Sequence, residues 1–450
     1  MTRLFVAADD RTGALETAGM CADAGCGEAV AGSVAALARI GLAELLGYET
    51  VVVDVGSRHL APAVAAVRAG DTAALVTAER LAYKIDSTLR GNWAVELVAR
   101  WSSSGQRILL VPAFPDVGRT CVDGVVLEHG QPVAAGHAGT DPLAPIHSSR
   151  PADHLALAGA PAVAYCADSV ATKAWLRGSG EPFAVCDATT HDDLASIGRM
   201  WAAFGPHVLL AGTAAAIAAG ARALDGNVTD NNIDEPPDER SVDHLFAGPA
   251  LVGRALVGAG EHVRRVRGGW HRQGAALVIC GSLNAVSRRQ IEELVADGAV
   301  AAVIDFDQPA GPGQPANAVP PDTDLRLVIA ALTGGGIAVL TTTDSRQRDG
   351  SGASVVDRLV DGTAHARRLG RLGWELAESL RVPTIVVIGG DTAEAVIGDQ
   401  ALVVSGTVAV GAPLSAFHGS ATPAIITKAG GFGHPLTLVE LLDHSPQPPR

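Results

Sequence analysis

Short apolar runs punctuate the chain at 4–7, 51–53, 81–83, 108–111, 162–165, 184–186 and 208–211, each closing on a polar residue or a glycine. These runs do not alternate apolar with polar positions. A half-buried strand shows that period of two, so the runs predict strands covered on both faces, as in a parallel sheet. Helix-compatible segments rich in Ala and Leu lie between most of them. A second series follows at 276–280, 300–304, 337–341, 384–388 and 424–427. Between the series, residues 225–243 are rich in Asp, Asn, Pro and Glu and read as a linker or exposed loop. The pattern predicts an α/β protein of two domains with mainly parallel sheets and an active-site cleft between them. The N-terminal domain is expected over 1–245 and the C-terminal domain over 246–450, with the boundary within 226–273 and a helical segment 248–267 assignable to either side. Ligands of such sheets collect at the carboxyl ends of strands, beside helix N-termini. The polar residues that close the runs are therefore the candidates for chemistry.

Length and composition support this reading. At 450 residues the chain exceeds one ordinary core, and 48% apolar against 18% charged residues marks it as globular. Aromatics are only 4%, so the cores must be built from Ala, Val, Leu and Ile. The net charge of −14 repels nucleic-acid phosphates. The short basic run Arg264-Arg265-Val266-Arg267 reads as a solvated helix end. Cys21, Cys26, Cys121, Cys166, Cys186 and Cys280 form no C-x-x-C pair, which suggests buried thiols of a reduced, cytoplasmic protein. The apolar start at 4–8 is cut by Asp9 and Asp10, too short for a signal peptide, and 208–224 carries Gly212, Thr213, Gly220 and Arg222, so no membrane partner is expected. His129, His137 and His147 lack helical spacing and suggest no metal site. Homo-oligomerisation is left open.

Charge usage then singles out particular positions. Lys84, Lys173 and Lys428 are the only lysines among 34 basic residues, and two of the three open dense motifs. A compact, rotatable ammonium serves phosphate and carboxylate oxygens where a planar guanidinium fork does not. Lys84 begins a stretch in which Asp86, Ser87, Thr88, Arg90 and Asn92 crowd the end of a strand. Lys84 and Arg90 can offset Asp86 there and also hold an anion. Asp9 and Asp10 close the first strand beside a helix start, where they can accept hydrogen bonds from hydroxyls; Thr12 could cap that helix. Asp54 and Arg58 close the second strand. Prolines and Gly118 stiffen the loop before Arg119 and could aim its guanidinium at a carboxylate. In the second half, glycine-containing ends follow three strands: Gly281-Ser282, Gly389-Gly390-Asp391-Thr392, and Lys428 to Gly433. Such ends expose backbone amides to phosphates. Neither a P-loop nor a G-x-G-x-x-G dinucleotide fingerprint is present.

At these positions the sequence resembles the four-carbon acid sugar kinases, the family acting on threonate, erythronate and 3-oxo-tetronate. The resemblance rests on ADDRTGA at 8–14, DVGSR at 54–58, KIDSTLRGN at 84–92 and PAFPDVGRTCVDG at 112–124. It continues with GSLNAVSRRQ at 281–290, IGGDTAEAV at 388–396 and KAGGFG at 428–433, in the family's order. It implies an N-terminal sugar-acid domain, a C-terminal nucleotide domain, and ATP and Mg²⁺ as cofactors. Asp86 or Asp10 would accept the hydroxyl proton, with Lys84 assisting. Asp9, Asp10, Arg58, Lys84, Asp86, Arg90 and Arg119 would bind the sugar acid. Ser282, Gly389, Gly390, Asp391, Thr392, Lys428, Gly430 and Gly431 would line the nucleotide, and Mg²⁺ would sit mainly on ATP phosphates and water. The chain departs from the family pattern at Leu283-Asn284-Ala285, Asp391-Thr392-Ala393 and Gly431, all on the nucleotide side. A sugar-acid sensor without catalysis, and a sugar-acid aldolase or dehydrogenase, are the alternatives.

Overall fold

The computed structural model describes residues 2–72, 77–141, 144–178, 180–226, 270–306, 325–343 and 355–442. The expected helix 248–267 and basic run 264–267 lie outside these residues, as does the expected linker beyond 226. The chain divides into two compact units, Met1–Gly253 with Ala401–Gly406, and Arg254–Gln400 with Thr407–Arg450.

The first unit is built on strands β1 (Thr2–Ala8), β2 (Ala29–Ser33), β3 (Thr50–Asp54), β4 (Ala78–Lys84) and β5 (Arg107–Val111). A small antiparallel meander follows, β6 (Arg119–Val122), β7 (Val125–Glu128) and β8 (Gln131–Pro132). Strands β9 (Val163–Cys166), β10 (Phe183–Cys186) and β11 (Val208–Gly212) complete the sheet, in the order β2-β3-β1-β4-β11-β5-β10-β9, all parallel. The continuous apolar runs have their cause here. Leu4, Phe5, Val6, Ala7 and Ala8 are all buried, so both faces of β1 are covered. Helix Trp93–Ser104 supplies Trp93 and Leu97 to the cluster that holds Phe5, Val51, Val53 and Leu110. The chain moves from β1 to one side for β2 and β3, then crosses to the other side for β4. The carboxyl end of β1, carrying Asp9 and Asp10, is thus a topological switch point, where parallel sheets open a crevice.

The second unit repeats that logic. Strands β12 (Ala276–Cys280), β13 (Val300–Ile304), β14 (Ile337–Thr342) and β15 (Thr384–Ile388) precede β16 (Leu402–Ala409), β17 (Ala412–Phe417) and β18 (Ala424–Lys428). The order β13-β14-β12-β15-β18-β17 is parallel except for β17, which pairs antiparallel with β18. Its switch point falls at the end of β12, at Gly281-Ser282. Val278, Val339, Val386 and Ile426 form its core with Leu438 and Leu442.

Several strands are absent from the sequence expectation. In β2 the segment AVAGS offers only one bulky apolar residue, and in β16 the segment LVVSGTVA alternates buried with half-buried positions. The opening residues of β16 run antiparallel along β2, pairing Leu402 with Ala31 and Val404 with Ala29, and belong to the first unit. A strand poor in bulky apolar residues, like β2, and a period-two strand, like β16, both carry weak apolar signals, and the continuous-run criterion passes over them. The expected cap at Thr12 is also corrected. Helix Arg11–Asp23 is capped by Asp10, whose carboxylate accepts from the Gly13 amide at 2.9 Å, while Thr12 lies inside the first turn. The carboxylate both satisfies a free amide and complements the helix dipole, which a threonine does only in part.

Candidate active site

In the first unit, three strand ends converge on one guanidinium. Arg58 follows β3 and binds Asp9 through Nε (2.8 Å) and Nη2 (2.9 Å), and Asp10 through Nη1 (2.8 Å) and Nη2 (3.0 Å). Its Nη2 is also 3.7 Å from Asp86. The arrangement depends on a planar fork meeting two carboxylates at once, which lysine cannot do. The backbone supports it. Ser57 and Arg58 amides donate to the Asp9 carbonyl, and Asn92 donates to the carbonyls of Ser57 and Leu60 at 2.8 Å each. Gly91 has φ +89° and passes so close to Arg58 that a Cβ would stand 3.1 Å from its Cγ. Asn92 thus spends its side chain on the loop after β3 rather than on capping its own helix.

Asp86 is held by Arg90 through Nε at 2.9 Å and by the Thr88 hydroxyl at 2.5 Å. The turn that permits this has Leu89 at φ +67°, an uncommon conformation for a branched apolar residue, with its amide donating to the Asp86 carbonyl. Burial alone would raise the Asp86 carboxyl, but Arg90 and Arg58 hold it well below the usual carboxylate range. Burial outweighs Arg58 at Asp9 and pushes that carboxyl up. At Asp54, burial likewise outweighs its partner Arg11, 2.9 Å away.

The remaining candidates of this unit take separate positions. Arg119 sits directly across from Glu128 in the β6–β7 register and binds it through Nε and Nη2, while its Nη1 donates to Ser87 at 2.6 Å. Its fork is therefore already engaged by a carboxylate of the protein. Lys84 reaches toward the helix Arg11–Asp23. Its Nζ donates to the Ile85 carbonyl at 2.9 Å and stands 3.9 Å from Glu16. Gly13 makes this path possible, because a Cβ there would lie 3.2 Å from Lys84 Nζ and 2.7 Å from Asp10 Oδ1. Glu16, Glu128 and Asp141 belong to no sequence motif, and Asp141 is 3.0 Å from Arg90 Nη1. A signal existed for Glu16, the sole charged residue between Arg11 and Asp23.

In the second unit, the three glycine-containing strand ends also converge. Gly389 has φ +106° and opens helix Gly390–Ile397, so the Gly390 and Asp391 amides lie in the first turn of a helix N-terminus. Its own amide donates to the Lys428 carbonyl at 3.2 Å, linking the β15 and β18 ends. Ser287 donates to the Gly430 carbonyl at 2.7 Å, and Gln290 to the carbonyls of Phe432 and His434 at 3.0 Å each. A Cβ on Gly281 would collide with Thr392 Oγ1, and one on Gly430 with Ser282 Oγ. Thr392 is fully buried and its hydroxyl has no hydrogen-bond partner. Lys428 is buried with its Nζ on the Ala429 carbonyl, and burial lowers its ammonium to about 8. Gly431 stands apart, near the Asn284 side chain. That asparagine caps helix Ala285–Ala296, accepting from the Val286 amide. Asp391 is half-exposed and lies 3.6 Å from Arg367.

Known proteins place this geometry in a family. Residues 4–220 match the sugar-binding N-terminal domain model and residues 277–438 the nucleotide-binding C-terminal domain model. A D-threonate kinase of Bordetella bronchiseptica is 30% identical over 450 residues, covering 96% of this chain and 95% of that protein. A D-threonate kinase of Salmonella typhimurium is 27% identical over 384 residues, 80% of this chain and 79% of that one. A D-erythronate kinase of Heliobacterium modesticaldum is 29% identical over 215 residues, 44% of this chain and 47% of that one. The fold recurs in a crystal structure from Salmonella typhimurium LT2, with TM-score 0.70, 16% identity and 98% of both chains covered. It recurs again in one from Haemophilus influenzae, with TM-score 0.63, 17% identity and coverage of 97% and 98%. The two domain matches, in the order of the two polar constellations, make this chain a member of the four-carbon acid sugar kinase family.

Proposed function

We propose that the protein phosphorylates a hydroxyl of a four-carbon sugar acid of the threonate or erythronate type, with ATP as donor. The observation that carries this reading is the placement of each unit's polar constellation at the switch point of its own sheet. One is a carboxylate–guanidinium lattice suited to a polyhydroxy acid, and the other is a glycine cradle suited to phosphates. When bound, ATP would supply the transferable phosphoryl group, and Mg²⁺ would offset the charge of its phosphates. The cradle fits a nucleotide: Gly281 and Gly430 let the strand ends and the helix start pack closely together, the Gly390 amide stands at a helix N-terminus, and Thr392 offers an unused hydroxyl. Lys428 adds a buried ammonium.

In the first unit, Asp10 accepts the proton of the attacking hydroxyl. It is more exposed than Asp9 or Asp86, and the depressed acidity range of Asp86 suits an orienting group better than a base. Asp9 and Asp86 then fix Arg58 and Arg90, and Lys84 takes the substrate carboxylate. The test is ADP release from ATP·Mg²⁺ across D-threonate, D-erythronate and 3-oxo-tetronates, with Asp10→Asn beside the parent chain. Acid-dependent ADP formation is expected, with kcat reduced by about 10²- to 10⁴-fold in Asp10→Asn and ATP affinity unchanged. Binding of both ligands without ADP release would identify a sensor instead. An Asp10→Asn chain with near-normal kcat would return the base role to Asp86.

A further inference from the structure

Glu16 has no task in the chemistry proposed above, yet it lies inside the first unit with only 5% of its surface exposed. Its Oε1 has no hydrogen-bond partner, and its Oε2 is 3.9 Å from Lys84 Nζ. Burial, the largest influence, pushes its carboxyl up to about 7; Lys84 opposes this from β4, Asp10 adds to it from the helix cap, Arg119 opposes it from β6, and Asp86 adds to it from the loop after β4. Lys84 is the cation at ion-pair distance. That ammonium is also lightly held. Arg58 is bound by four carboxylate contacts and Arg119 by Glu128, whereas Lys84 has one carbonyl and the distant Glu16. An incoming carboxylate can therefore claim Lys84 without dismantling an existing fork.

Claiming it leaves Glu16 as a buried anion without a counter-ion. Such a charge is far more costly than protonating a carboxyl that already titrates near neutrality. We propose that the first unit binds a sugar acid together with a proton: as the substrate carboxylate takes the Lys84 ammonium, Glu16 takes a proton from solvent. No other bond is made or broken, and the net charge of the site stays constant on binding. Glu16 is thus a positioning residue acting through Lys84. The inference rests on the sugar-acid reading given above.

Isothermal titration of the full chain with D-threonate and D-erythronate, in two buffers of different ionisation enthalpy, tests it. Expected is a buffer-dependent heat reporting up to one proton taken up above pH 7, and a Kd that weakens toward tenfold per pH unit above that point. Glu16→Gln, neutral at every pH, should bind the acid with buffer-independent heat and a flat Kd from pH 6 to 8.5. A parent chain that binds either acid with buffer-independent heat overturns the inference alone, and it does so even if Glu16→Gln fails to fold. A Glu16→Gln chain that still takes up a proton overturns it too. Binding of ATP with no binding of either acid at any pH overturns the sugar-acid reading, and this inference with it.

Discussion

Tyr83 and Glu96 show how single residues beneath the site carry a pH signature of their own. The Tyr83 hydroxyl donates to Glu96 Oε2, Glu96 Oε1 has no partner, and both side chains are buried. Burial pushes the Glu96 carboxyl from 4.5 up to about 7, against smaller opposing hydrogen bonds. A carboxyl whose folded pKa is raised favours folding while protonated. That stability is full below about 4.5 and is lost as pH rises through about 7, amounting to on the order of 3 kcal/mol for such a shift. Glutamine keeps an oxygen for the tyrosine hydroxyl and never ionises. Glu96→Gln should therefore raise the midpoint of thermal unfolding at pH 8, with the gain fading toward pH 4.5. Equal midpoints for the two chains at pH 8 would show that Glu96 is not protonated in the folded protein near neutrality. None of this is legible in the sequence, where Glu96 reads as an ordinary first-turn helix residue.

At the scale of elements, what decides the proposed nucleotide cradle is how closely a strand end and a helix start approach. Gly281 ends β12, and the space a side chain would need is filled by Thr392 Oγ1 and by Ala366 at 2.9 Å. Thr392 belongs to the short helix Gly390–Ile397, so a methyl group at 281 must push that helix start outward. Gly281→Ala should weaken ATP binding by roughly tenfold or more, by about 1–3 kcal/mol of overpacking, while binding of the proposed sugar acid is unchanged. Titration calorimetry of each ligand separates the two, and equal ATP affinity would show that the helix start is not part of the cradle. The motif positions themselves were readable beforehand, because strand ends in parallel sheets are marked by the change from apolar run to glycine and polar residues. Their pairings were not. Nothing in the spacing of 84–92 or 112–124 says that Arg119 is spoken for by Glu128, or that Lys84 turns toward Glu16.

Over the whole molecule, the segment Ala401–Gly406 is the clearest departure from a division by sequence order. It lies within the C-terminal half yet pairs with β2, with Leu402 and Val404 buried. Val404→Asp places an unpaired charge in that buried position and should destabilise the first unit by about 3 kcal/mol or more. Thermal unfolding with the proposed sugar acid present, which is expected to stabilise the unit it binds, should show the loss in that unit's transition, whereas the protection expected from ATP in the other stays intact. An unchanged first-unit transition would mean that the 401–406 pairing contributes little. No helix among the described residues is long and apolar enough to cross a membrane. The α/β class, the inner parallel strands, and the places where polar motifs end them are legible along the chain. Continuous apolar runs follow from burial on both faces, and strand-end glycines follow from local turn geometry. Which charges neutralise one another, which carboxyls are lifted toward neutrality, and which strands close each sheet are settled by the folded arrangement. Those outcomes depend on contacts between residues tens to hundreds of positions apart, and on burial that no local pattern encodes.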